Sequence, residues 1–366
     1  MTRIFTKQAI DLGRATRLLA LSVALGTPAL AQAAIRCIEN DSQFKSTLDA
    51  ALASADTVEE VRIKSGVYQF STGEIGYFGV LQGSGKTLSI RGGWSGNAGM
   101  CTVQNGDATA TVLSGNNQRP VFGINASTTF TGSITIENML FTAGRTTSGQ
   151  TASALSLGEQ NGGVMGVLLD RVWIEGNTTQ AGVSAAALDV TPESGVVVRN
   201  SVVAGNTSGS SPPASIVVGA GQSNLVLNNT FAFNSSSHPL GYAGLFLGLS
   251  PGASLLLANN LFHGNIATAA PRVDIRLTTA GISLQNNRYT GLSGVPTSET
   301  GSSTGPAGFN GSGYGLAANS TARDAGAFFV PLVQGAFDAA GNRRVQGSVV
   351  DLGALEYSDV FRDGFE

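Results

Sequence analysis

Apolar and polar residues alternate in a short phrase that recurs six times between residues 134 and 286. The copies read Ile134-Thr-Ile-Glu-Asn138, Val167-Leu-Leu-Asp-Arg171, Val196-Val-Val-Arg-Asn200, Leu225-Val-Leu-Asn-Asn229, Leu255-Leu-Leu-Ala-Asn259 and Ile282-Ser-Leu-Gln-Asn286. Their fifth positions step by 33, 29, 29, 30 and 27 residues. Such a period marks a solenoid whose units bury their faces only against their neighbours. The first and third positions are apolar in every copy, and period-two alternation places both on the inner side of a strand. A further apolar column follows three residues later, at Phe141, Ile174, Val203, Ala232, Phe262 and Tyr289. Strand-like runs at 185–190, 215–218, 244–249 and 273–277 fill the intervals. About three short strands per period, joined by Gly, Asn, Ser or Pro turns, predict an all-β right-handed parallel β-helix of about seven coils, roughly 35 Å long.

The fifth positions form an asparagine column broken by Arg171, placed at the bend after the strand. Asn tolerates left-handed backbone angles, and stacked amides hydrogen-bond along such a column. A second ladder is expected six residues on, at Asn177, Asn206 and Asn265, with Ser235 in the series. Residues 34–90 read as an N-terminal cap, with a helix over 44–55 that sets Phe44, Leu48 and Leu52 on one face. Such a helix covers sheet-edge groups at the end of a stack. The β-helix proper is expected over 91–292, a Gly/Ser/Pro-rich loop over 293–318, an associated C-terminal segment over 319–357 and a tail over 358–366.

Composition places the chain outside the cell. Arg3, Lys7, Arg14 and Arg17 precede an apolar stretch at 18–25, and Ala31-Gln32-Ala33 offers a cleavage site, so residues 1–33 read as a secretory signal. No stretch reaches the roughly 20 apolar residues of a transmembrane span. The expected destination is the extracellular space, outer surface or periplasm of a Gram-negative-type bacterium. The 366-residue chain has a formal charge of -3. Without residues 1–33, 17 basic side chains face 23 acidic ones, a charge of -6, which argues against a nucleic-acid partner. The two cysteines, Cys37 and Cys101, form an even pair in an exported chain and are expected to make one disulfide.

Candidate chemistry is sparse. Gly83-Ser-Gly-Lys-Thr87 lacks the earlier glycine of a phosphate-binding loop, since position 80 is Val80. His238 and His263 lie 25 residues apart without a metal-ligand spacing, and no metal is expected. The fourth, outward position of the repeat reads Glu137, Asp170, Arg199, Asn228, Ala258, Gln285. With coils about 4.8 Å apart, Glu137, Asp170 and Arg199 are neighbours. Paired carboxylates serve glycoside hydrolysis or hold Ca²⁺, and unlike charges also simply tile an exposed wall. The outward second position carries Leu168, Val197, Val226 and Leu256 in a row. Such a strip needs a cover, supplied either by the 293–357 segment and coil loops or by a partner. Trp173 is the main outward aromatic.

The terminal wording, Ala322-Arg-Asp-Ala-Gly326, Asn342-Arg-Arg-Val345 and Val350-Asp-Leu-Gly-Ala-Leu-Glu356, resembles the closing segment of choice-of-anchor Q type secreted bacterial proteins. The opening, with Cys37, a small helix, Gly66-Val-Tyr68 and Ile90-Arg-Gly-Gly-Trp94, is similar to theirs as well. The resemblance spans nearly all of the mature chain and implies a right-handed β-helix. It brings no catalytic signature to transfer. The tail Val360–Glu366 is similar to a short tail of many exported Gram-negative proteins. The expectation is therefore an exported, non-catalytic surface or extracellular protein that binds a glycan or a protein partner and needs no cofactor. The alternative is a polysaccharide lyase or glycoside hydrolase working on Glu137, Asp170 and Arg199, with Ca²⁺ entering only for a lyase.

Overall fold

The computed structural model describes residues 33–70, 76–147, 152–159, 163–180, 186–219, 223–311, 313–346 and 349–358. The expected signal, apart from Ala33, and the tail Val360–Glu366 lie outside these residues. The chain winds as a right-handed parallel β-helix. Its first sheet runs in one path through Ala34–Ile38, Val58–Lys64, Ser84–Ser95, Thr131–Thr142, Val164–Glu175, Val196–Arg199, Ser223–Leu227, Ser254–Ala258, Ile282–Gln285 and Ser298–Thr300. An eight-stranded second sheet runs from Tyr77–Leu81 to Leu292–Ser293, and a third sheet of five two-residue strands closes the middle coils. Stacking thus begins at Ala34 and reaches Thr300, so the cap and loop segments expected at 34–90 and 293–318 each contribute strands to the stack. The interior is one continuous apolar column from Ile38 to Leu284.

One copy of the repeat sits a residue away from the expected register. Val197 pairs with Leu225, Val198 with Val226 and Arg199 with Leu227. The copy is therefore Asn224-Leu-Val-Leu-Asn228, with Asn224 in the first, inward position. Because side chains alternate, a slip of one residue exchanges the faces. Val226 is fully buried in the core, and Leu225 takes the outward place expected of it. Asn224 is tolerated inside because its Oδ1 accepts from the Val196 amide at 2.8 Å and its Nδ2 donates to the Ser254 carbonyl at 2.9 Å. The left-handed column is then Asn138, Arg171, Asn200, Asn228, Asn259 and Asn286, all with φ between 50° and 61°.

Two inner amide ladders stitch the coils together. Asn229, Asn260 and Asn287 form one, each Nδ2 or amide donating to the next Oδ1 at 2.9–3.0 Å, with Ser201 and Ser302 at its ends. Asn177, Asn206, Asn234 and Asn265 form the other, ending on Asp274. Asn234 replaces the expected Ser235, and Phe231 replaces Ala232 in the apolar column, both through the same one-residue slip.

At the N-terminal end, helix Asp41–Ala53 is capped by Asn40, whose side chain accepts from the Gln43 amide. Phe44, Leu48 and Leu52 face the stack as expected, and Phe44 packs edge-on to Phe70, Tyr77 and Phe122. Lys86 is buried and donates to the carbonyls of Ala51, Leu52 and Ser54 at 2.6–3.1 Å. It satisfies the open carbonyls at the helix C-terminus, where a cation is favoured. Cys37 and Cys101 are bonded, 5.7 Å apart at Cα, closing the first strand onto the loop 64 residues later.

The C-terminal segment is a strap laid along the outside of the first sheet. Ala325 and Ala327 carbonyls accept from Asn286 and Asn259, Leu332 and Val333 carbonyls from Arg199, and the Gln334 carbonyl from Asn200. Farther back along the stack, the Ala339 carbonyl accepts from the Ala108 amide. The phrases that carry the family resemblance organise the strap itself. Arg344 is fully buried and donates to the carbonyls of Asp351 and Gly353 at 2.9 and 2.8 Å and pairs with Glu356 at 3.1 Å. Asp338 accepts from the amides of Ala340, Asn342 and Glu356, and Asp351 from those of Asp324 and Tyr357.

Candidate functional site

Glu137, Asp170 and Arg199 do come together in register on one wall. Each of them is ion-paired. Glu137 is held by Arg171 and by Arg91, the latter at 3.3 Å. Asp170, only 8% exposed, accepts from Arg199 at 2.8 Å and from Asn200 at 3.0 Å. Arg199 spends its other terminal nitrogen on the strap carbonyls of Leu332 and Val333, both at 2.9 Å. The wall is a set of ion pairs met by the strap at Arg199 and Asn200, in which each carboxylate faces a guanidinium rather than a second carboxylate free to work with it.

The outward apolar strip consists of Leu168, Val197, Leu225 and Leu256, all partly exposed. The strap lies over the neighbouring column instead, where Leu227 and Ala258 are buried, and over Val202, Thr230 and Leu261 beyond the bend. Trp173 belongs to that second covered strip. It packs with Val202, Ala339 and Ala354 under the strap, and its ring meets Tyr314 at 5.6 Å. Among the described residues no group of three or more His, Cys, Asp or Glu side chains could hold a metal ion.

The feature that the sequence reading passed over lies at the end of this strip. The bend before the third sheet carries Ala143, Gly176, Gly205 and Gly264 at φ 50°, 68°, 62° and 63°, and each of the three glycines is followed by an asparagine of the second ladder. The coil between Gly205 and Gly264 has Phe233 in that place, at φ 54°. A bulky residue there is a true backbone outlier, and this one is 49% exposed. Its ring lies over Gly264, where an added Cβ would come within 2.7 Å of it. The signal was present in the sequence as a Phe-Asn in a column of Gly-Asn, hidden by the register slip.

A short hairpin faces Phe233. Phe309 bridges Leu316, and the Asn310 amide donates to the Gly315 carbonyl at 3.0 Å. Leu316 is buried against Leu261, Ala307, Ala322 and Leu352, which fixes the hairpin to the coils. Its outer side presents Phe309 and Tyr314. Phe233, His263, Phe309 and Tyr314 thereby enclose an open groove of about 430 Å³, with Pro306, Gly308, Gly311 and Gly313 on its lip. Ring centroids are 5.4 Å apart for Phe233 and His263, 5.2 Å for His263 and Phe309, and 6.2 Å for Phe309 and Tyr314, at 82–86° in each case. Tyr314 donates to Glu175 at 2.7 Å, and burial, aided by that carboxylate, pushes its hydroxyl well above the usual tyrosine range. The Ala307 amide donates to Nδ1 of His263 at 3.3 Å. Burial lowers the affinity of this ring for a second proton, against the pull of Asp274. His263 is therefore neutral with its proton on Nε2, an assignment from the hydrogen-bond pattern.

No family model matches the chain, and no curated protein sequence matches it. Among solved structures it is similar to the pectin methylesterase from Aspergillus niger in penultimately deglycosylated form, at 14% identity over 83% of this chain and 96% of that one, with a TM-score of 0.33.

Proposed function

We propose that this chain is an exported β-helix protein of the surface or extracellular space that binds a glycan without cleaving it. The observation that carries the reading is the aromatic groove. Four rings are presented at one place, one of them a bulky side chain on a left-handed bend where three other coils use glycine, and outliers of this kind point toward function. Export is supported by the basic-then-apolar start of the sequence and by the Cys37–Cys101 disulfide, and no helix among the described residues is long and apolar enough to cross a membrane. The non-catalytic reading is supported by the state of Glu137, Asp170 and Arg199, each ion-paired, with Arg199 also held by the strap.

The test is a screen of residues 34–366 against neutral and acidic polysaccharides, with Ca²⁺ and with chelator. Adsorption, unsaturated uronate absorbance and reducing ends are followed together. Saturable adsorption without product is expected. Product that disappears in Asp170→Ala would overturn the reading and make the charged column an active site.

A further inference from the structure

We propose that the groove between the coil end at Phe233 and the Phe309–Leu316 hairpin takes uncharged pyranose units, and that Phe233 is the residue on which this recognition turns. The inference deepens the glycan-binding reading and rests on it. A pyranose ring has two C–H faces and a rim of hydroxyls. It matches a site that offers aromatic faces on adjoining sides with a few polar atoms between them. Phe309 stands near-perpendicular to both His263 and Tyr314, so the rings of the cluster face different ways, and the faces that no neighbouring edge covers are those a sugar can meet. Two of the lining residues also carry polar atoms, the Nε2–H of His263, with no partner among the described residues, and the Tyr314 hydroxyl, whose oxygen can still accept while it donates to Glu175. An extended apolar peptide would bring no hydroxyl rim to use these atoms.

Charge fixes the class further. None of the described lining residues is charged. The nearby Glu175 is engaged by Tyr314, and Arg288 spends one terminal nitrogen on Pro306 and Thr321 behind the hairpin. A uronate or sulfated sugar entering here would leave its anion without a cationic partner, a costly arrangement in a partly buried groove. An uncharged sugar meets no such penalty.

Phe233 separates function from folding. Gly176, Gly205 and Gly264 show that the bend is built with glycine in three other coils. Half of Phe233 remains in water, so its contacts with His263, Phe309 and Tyr314 account for only part of its presence. Placing glycine there removes the left-handed strain while taking away one wall of the groove.

The experiment is calorimetric titration of the mature chain and of Phe233→Gly with glucan, mannan, galactan and xylan hexaoses, with tetragalacturonate and with a Leu/Phe-rich hexapeptide. Expected is binding of at least one neutral hexaose, weakened about tenfold or more in Phe233→Gly and in Tyr314→Ala, with the melting temperature of Phe233→Gly close to that of the parent. Tighter binding of tetragalacturonate would overturn the uncharged class and leave glycan binding standing. Binding of the peptide alone, or of no probe, would overturn both. Neutral-sugar affinity unchanged in Phe233→Gly would keep glycan binding and remove this groove as its seat.

Discussion

Phe231 and Phe233 stand two residues apart on one coil and meet opposite fates. Phe231 points inward and stacks on Phe262 at 4.8 Å with planes 9° apart, fully buried. Phe233 points outward at φ 54°, half exposed, toward the hairpin. The inner ring repeats what coils above and below do with Val203 and Phe262, whereas the outer one departs from the glycine that three other coils use. In a stack, repetition is what stability requires of a position, and departure from it at a strained, exposed position marks a different demand. The wall of Glu137, Asp170 and Arg199 falls on the inner side of this divide, since Glu137 is paired with Arg91 and Arg171, and Asp170 with Arg199, which the strap also holds.

Truncating the two rings tests the comparison most sharply on stability. Phe231→Ala opens a cavity in a sealed column and is expected to cost about 3–5 kcal/mol in chemical denaturation. Equal costs at 231 and 233 would break the contrast. Next, Asn260→Ala removes the link between Asn229 and Asn287 and leaves the buried carbonyls of Val226 and Ala258 without their donor. It is expected to cost roughly 2–3 kcal/mol, measured the same way. A loss under about 1 kcal/mol would show that the ladder is incidental.

A pH effect is expected in the strap. Burial, with Asp351 and Asp338 nearby and Arg344 opposing, raises the Glu356 carboxyl from 4.5 to about 8. A raised carboxyl binds its proton more tightly in the folded state, so its contribution is fully present below pH 4.5 and is lost as the pH rises to about 8. Melting temperatures of the parent should fall relative to Glu356→Gln across that window, and parallel profiles would refute the assignment. The smallest stability effect belongs to the groove. In Phe233→Gly, relief of about 1–2 kcal/mol of left-handed strain offsets the lost ring contacts and the added backbone freedom, leaving a net change within about 1 kcal/mol.

Much of the architecture was legible because a solenoid writes its period into the sequence. Ile134, Val167 and Val196 mark the inner face with no knowledge of the fold, and Phe44, Leu48 and Leu52 show the covering side of the helix. The register of the fourth copy was not legible. Asn224-Leu-Val-Leu-Asn228-Asn229 supports two alignments, and the choice turns on whether an Asn can sit inside, which depends on the Val196 amide and the Ser254 carbonyl contributed by other coils. That slip moved Val226 outward on paper and hid Phe233 from its glycine column. The hairpin side of the groove was beyond reach for a different reason. Nothing local in Phe309 or Tyr314 tells that Leu316 will anchor them beside coils more than 40 residues earlier.

The most direct measurement of the central claim sets melting temperature beside glycan-array signal for Phe231→Ala and Phe233→Gly. The account predicts a double dissociation. Phe231→Ala melts far lower and, at temperatures where it is folded, retains the glycan signal, while Phe233→Gly melts near the parent and loses it. A Phe233→Gly protein that keeps the full glycan signal, or an array on which the parent binds nothing, would contradict it.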